Sequence, residues 1–97
     1  MIGYDCNVKF NNFKPNTEIK GQIYTQVSKI KDSCPSDSCL YMDINLINDK
    51  YYIRTKISST LFRVNIKTTH SDLLKALIEH SQEIFFHLNS WHNKYAS

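Results

Sequence analysis

Residues 40–67 read LYMDINLINDKYYIRTKISSTLFRVNIK, three runs of alternating side chains separated by two short polar breaks. Leu40, Met42, Ile44 and Leu46 alternate with Tyr41, Asp43 and Asn45. Tyr51, Ile53, Thr55 and Ile57 alternate with Tyr52, Arg54 and Lys56, and Phe62, Val64 and Ile66 with Arg63, Asn65 and Lys67. A period of two belongs to a strand with one buried face, because successive Cβ atoms point to opposite sides of a sheet. Asn48-Asp49-Lys50 and Ser58-Ser59-Thr60 supply the turns, and connections this short join antiparallel neighbours. The stretch predicts three strands with an apolar face and an outward face carrying Arg54, Lys56, Arg63, Asn65 and Lys67.

Upstream, Ile2, Tyr4, Cys6, Val8 and Phe10 alternate with Gly3, Asp5, Asn7 and Lys9, which predicts a further strand over 2–10. Pro15 disfavours helix before it, and Asn16 or Thr17 can cap the amides of a helix that begins near Glu18. Ile19, Ile23, Val27 and Ile30 make one apolar stripe on that helix, and Cys34-Pro35-Ser36-Asp37-Ser38 ends it. Gly21 weakens it by roughly 1 kcal/mol relative to Ala, and is read as letting the helix approach the sheet closely. Downstream, His70-Ser71-Asp72 opens a long helix whose apolar face is Leu74, Leu77, Ile78, Ile84, Phe85, Leu88, Trp91 and Tyr95. Strand, helix and strand at the start form a βαβ unit, with parallel strands and a right-handed crossover. The fold expected is α+β: a β-α-β-β-β-α two-layer sandwich, a four-stranded mixed sheet with both helices on one face.

Ninety-seven residues, 41% of them apolar, suffice for one domain over 1–97 and not for two with useful cores. Twelve Lys/Arg against nine Asp/Glu give a formal charge of +3, far below an arginine-rich nucleic-acid binder, so a basic surface must come from uneven placement. The placement is uneven: from Lys50 through Ser71 there are five basic residues, Lys50, Arg54, Lys56, Arg63 and Lys67, and no acid. The start of the chain lacks a cationic, then apolar, leader, and no run is long enough to span a bilayer, so a soluble cytoplasmic protein with no membrane partner is expected. Cys6, Cys34 and Cys39 are then read as free thiols.

Reactive chemistry finds little support. Zinc needs four ligands, and the C-x4-C pair Cys34/Cys39 has no second pair, nor do His70, His80, His87 and His92 complete it. There is no H-E-x-x-H, no G-x-S-x-G and no glycine-rich phosphate loop, and nothing brings Asp43 and Asp49 together as an acid and base pair. A non-enzymatic protein with no cofactor and no metal is expected.

The element order resembles the ribosome hibernation-promoting factors, also called ribosome-associated inhibitor or sigma-54 modulation proteins, over nearly the whole chain. In the first helix Thr17-Glu18-Ile19-Lys20, followed by Ile23, Val27, Lys29 and Ile30, is similar to the family's helix, which puts Lys20 and Lys29 at its basic positions. In the second, Asp72-Leu73-Leu74 with Ala76-Leu77, then Ile84 and Leu88, resembles the family's opening and later leucines, and Lys94 matches a C-terminal lysine. Where family members carry several further Lys/Arg, this chain has Asn89, Ser90, Trp91, His92 and Asn93. The resemblance implies a stress-linked regulator that binds small-subunit rRNA in the channel used by tRNA and mRNA, here through Lys20, Lys29 and Lys94 with Arg54, Lys56, Arg63 and Lys67.

Blander readings stand beside these. Charges on an open sheet also serve solubility and discourage edge pairing. Tyr41 and Tyr52 can stack on bases, or fill cross-strand contacts as paired tyrosines more commonly do. Adjacent Phe85 and Phe86 cannot both face one sheet, so Phe86 either covers the helix flank or, with the exposed tyrosines, makes a homodimer contact. That protein-interaction module is the rival reading, and Trp91 is read as closing the end of the core. A double-stranded RNA-binding domain shares the α-β-β-β-α order, but Thr69-His70-Ser71-Asp72 lacks the lysines that start its last helix.

Overall fold

In a computed structural model that describes residues 5–95, the three alternating runs form antiparallel strands β2 (Cys39–Ile47), β3 (Lys50–Ser58) and β4 (Arg63–His70). Strand β1 (Cys6–Asn11) joins them parallel to β2, so the sheet runs β1-β2-β3-β4 with only the β1-β2 pair parallel. The helices are α1 (Thr17–Ser33) and α2 (Leu73–Tyr95). The β-α-β-β-β-α order and the mixed four-stranded sheet are those expected, whereas Ile2, Tyr4 and the side chain of Tyr95 lie outside the described residues.

Local chemistry sets the boundaries. Asn48 and Asp49 both have positive φ, 50° and 65°, the geometry of a two-residue type I′ hairpin, and Asn and Asp tolerate it. Lys50 therefore belongs to β3 rather than to the turn, opposite Ile47. Phe62 belongs to the next loop: Ser59 Oγ accepts from its N–H and donates to its carbonyl, at 2.8 and 3.0 Å. Asn16 is the cap of α1, its Oδ1 accepting from the Ile19 N–H at 2.8 Å. Asp72 does the same for α2, accepting from Leu74 and Lys75 N–H at 3.0 and 3.2 Å.

The core lies between sheet and helices. Leu40, Met42, Ile44, Ile53 and Ile57 meet Ile23, Val27 and Ile30 of α1 and Leu77, Ile84 and Leu88 of α2. Burying each such side chain contributes about 1.5–3 kcal/mol before conformational entropy is charged against it. Trp91 closes one end of the core against Phe62, ring centroids 6.2 Å apart. Phe13, in the loop before α1, plugs the other end, edge-on to Phe10 and Tyr51 at 5.8 and 5.4 Å.

Three core expectations need correction. Leu74 and Ile78 are exposed, at 36% and 55%, because they point along α2 toward α1 and the two helices do not close over them. They line an apolar groove of about 570 Å³ with Glu18, Gly21, Gln22, Thr25 and Gln26. Gly21 brings no close approach to the sheet: it is exposed, and a Cβ built there meets nothing within 4 Å.

Candidate nucleic-acid interface

Strand register fixes which side chains share the open face of the sheet. Opposite the helices stand successive cross-strand rows: Asn7, Tyr41, Lys56 and Asn65; then Lys9, Asp43, Arg54 and Lys67; then Asn11, Asn45, Tyr52 and Thr69. Arg63 heads the face beside Ser58 and Cys39. Arg54, Lys56, Arg63 and Lys67 are all exposed there, as the alternation required. Lys9, at an outward position of β1, is exposed in the same row and joins them.

The sequence reading did not see the pair at the centre of this face. Asp43, 5% exposed, is the one carboxylate at an outward strand position among the described residues, and it lies opposite Arg54. Arg54 donates to its Oδ2 from Nη2 at 2.7 Å and from Nε at 3.2 Å, while Asn45 Nδ2 donates to Oδ1 at 3.0 Å. A carboxylate buried on a polar face is tolerable because it is paired and hydrogen-bonded. The Arg54 side chain stays 53% exposed, so the pair fixes its orientation without removing it from solvent. Counting back from a two-residue turn at Asn48-Asp49 would have set Asp43 opposite Arg54, and the three-residue turn read from composition hid this.

Register also separates the tyrosines. Tyr41 faces Lys56 and Tyr52 faces Asn45, so they are not a cross-strand pair, and the Asp43–Arg54 row lies between them. They are 37% and 39% exposed, and among the described residues neither ring packs on another aromatic. Between them the face dips into a concavity of about 430 Å³ lined by Tyr41, Asp43, Tyr52, Arg54, Lys9 and Lys67 among others.

The remaining predicted cations do not join this face. Lys20 and Lys29 are exposed on α1, on the other side of the sheet, and nine positions at roughly 100° per residue put them on opposite flanks of the helix. Lys94 stands in the last turn of α2. Phe86, 67% exposed, is also on the helical layer, so one contact patch cannot combine it with Tyr41 and Tyr52.

The inner polar groups tie the layers together. His80, fully buried on α2, bonds Thr55 Oγ1 of β3 through Nε2 at 2.6 Å and Thr68 Oγ1 of β4 through Nδ1 at 2.8 Å. Burial lowers its pKa from 6.5 to about 4, so the ring is neutral, donating through one nitrogen and accepting through the other. Burial pushes the Cys34 thiol up to about 11 and raises that of Cys6, which keeps both weakly nucleophilic. Among the described residues no three His, Cys, Asp or Glu side chains stand together as metal ligands, and no helix is long and apolar enough to cross a membrane.

Fold and face together define a two-layer β-α-β-β-β-α sandwich whose sheet is left open, cationic and aromatic. The same fold is found in the N-terminal domain of Thermus thermophilus Protein Y, with a TM-score of 0.75 over 94% of this chain and 99% of that one, at 11% identity. A ribosomal subunit interface protein from Coxiella burnetii shares it too, with a TM-score of 0.72 over 91% of this chain and 97% of that one, at 6% identity. No family's sequence profile matches the chain, and no curated protein matches it. The structural likeness thus runs in the direction that the element order indicated, and at these identities it establishes the fold.

Proposed function

We propose that the protein is a ribosome-associated, non-enzymatic regulator of translation of the hibernation-factor type, acting in the cytoplasm by binding small-subunit rRNA. The observation that carries this is the open sheet face, where Lys9, Arg54, Lys56, Arg63 and Lys67 are presented together with Asp43 as the only outward strand carboxylate among the described residues. Cations gathered on one rigid surface gain affinity for phosphates by releasing counterions. Support comes also from the fold shared with the ribosomal subunit interface protein from Coxiella burnetii.

Lys20, Lys29 and Lys94 lie on the other layer and are reached only by a site that wraps the domain. A channel between ribosomal segments is such a site, which makes it the geometry in which all seven predicted cations can work together. Regulation is then steric: phosphate contacts hold the domain in register while its bulk excludes tRNA and mRNA, and no bond is made or broken. The test is sedimentation of purified protein with small ribosomal subunits. Cosedimentation at low salt and release at high salt are expected, and a protein left in the supernatant even at low salt refutes the reading.

A further inference from the structure

We propose that the open sheet face is a site for unpaired RNA, on which bases stack against Tyr41, the Arg54 guanidinium and Tyr52 while Lys9, Lys56 and Lys67 take the phosphates. The choice of RNA rests on the ribosomal reading above; the stacking chemistry rests on the face itself.

Three planar groups run diagonally across the middle of the sheet. Tyr52 and Arg54 are alternate residues of β3 on the same side, and Tyr41 lies diagonally beyond Arg54 on β2. Four residues along a strand and one strand across put the two tyrosine Cα atoms about 14 Å apart, so each ring can hold its own base with the guanidinium between them. Arg54 is not a free-swinging cation. Asp43 binds it through Nε and Nη2, and Asn45 holds Asp43 in turn, so the guanidinium plane is set before any ligand arrives. A pre-oriented guanidinium is both a cation and a surface on which bases stack.

The same arrangement discriminates between partners. A duplex offers phosphates and groove edges but hides the flat faces of its bases, so it would use the lysines and leave both tyrosine rings idle. An unpaired strand uses both, because every base has a face to stack. An acidic peptide would satisfy the cations but gains nothing from a carboxylate buried at the centre of the face. Lys9 and Lys67 flank the Asp43–Arg54 pair at the two ends of its row, and Lys56 lies beside Tyr41, where a backbone crossing the strands would pass.

Fluorescence anisotropy of the full chain with a short labelled RNA lacking self-complementarity tests this, against a duplex RNA of the same length and a poly-glutamate peptide. The unpaired RNA is expected to bind tightest. Tyr41→Ala and Tyr52→Ala are each expected to lose roughly 5- to 150-fold in affinity, the range for one stacked base. Tyr41→Phe and Tyr52→Phe should retain binding, since they keep the ring, and a urea midpoint for each alanine variant close to the parent's excludes a folding defect as the cause. Lys75→Ala, an exposed cation on α2 away from the sheet face, should leave oligonucleotide binding unaffected. Duplex bound as tightly as single strand, tyrosine-to-alanine variants that bind like the parent, or the peptide binding best would each overturn the proposal. Oligonucleotide binding through the tyrosines without cosedimentation with small subunits would discard the ribosomal reading and keep the stacking site; cosedimentation indifferent to both tyrosines would do the reverse.

Discussion

Lowering the pH from about 7.5 to 5 should cost the folded protein about 2 kcal/mol through His80 alone. The ring is fully buried beneath the sheet and joins α2 to both β3 and β4 through Thr55 and Thr68. Its pKa falls from 6.5 to about 4 because burial penalises the charged form. The unfolded chain therefore takes up a proton near pH 6.5 that the folded chain refuses until near 4. Between those values the unfolded state holds more protons, so stability falls as the pH falls, and the loss levels off below about 4. With an unfolded pKa of 6.5 and a folded pKa of about 4, the ratio of binding polynomials at pH 5 is about 30, which is the 2 kcal/mol stated. Urea unfolding of the parent and of His80→Gln across this range separates His80 from the chain's other titrating groups. The parent should lose about 2 kcal/mol more than the variant between these pH values. Parallel losses in the two proteins would refute the assignment of a neutral, buried imidazole. Thr55 lies between Arg54 and Lys56 in sequence and Thr68 follows Lys67, so protonating His80 should also loosen the strands that carry the outer cations.

Two further outcomes follow from the packing. Gly21→Ala should raise stability by about 0.5–1 kcal/mol, because the new methyl meets nothing and helix propensity is gained; a fall in urea midpoint would show that α1 packs closer than described. Ile84→Ala should cost about 2–5 kcal/mol, whereas Ile78→Ala should stay within about 0.5 kcal/mol, and equal costs would mean that the groove between the helices is closed in solution.

Alternation in 40–67 carried most of the fold, because a period of two assigns each side chain to a face without knowledge of its partners. What it could not assign was register, which depends on how many residues the turn consumes. Taking Lys50 into the first hairpin turn shifted the register by one residue and left Asp43 without its Arg54 partner, and assigning faces without register left the separation of Tyr41 from Tyr52 unseen. The positive φ of Asn48 and Asp49 settles the matter: the stretch from Lys50 to Ser71 holds no acid of its own, but the two-residue turn sets a carboxylate of β2 opposite Arg54. Lys9 was legible as an outward residue of β1 and its strand as the parallel neighbour of β2; what was missing was the register that sets it in the Arg54 row. Helix periodicity erred at Leu74 and Ile78 for a related reason. A 3.6-residue repeat gives direction around an axis but not the distance to the neighbouring helix, and here the facing side of α1 offers Gln22 and Gln26 rather than apolar side chains.

The sharpest examination of the account is the slope of log affinity against log salt for small ribosomal subunits, in the parent and in a Lys9→Gln/Lys56→Gln/Lys67→Gln variant. If the open sheet face contacts rRNA phosphates, the parent should bind with a steep negative slope and the triple variant should lose about 2 from its magnitude, roughly 0.7 for each contact to unpaired RNA. A variant that binds with the parent's affinity and slope would show that ribosome contact, if any, is made elsewhere on the molecule.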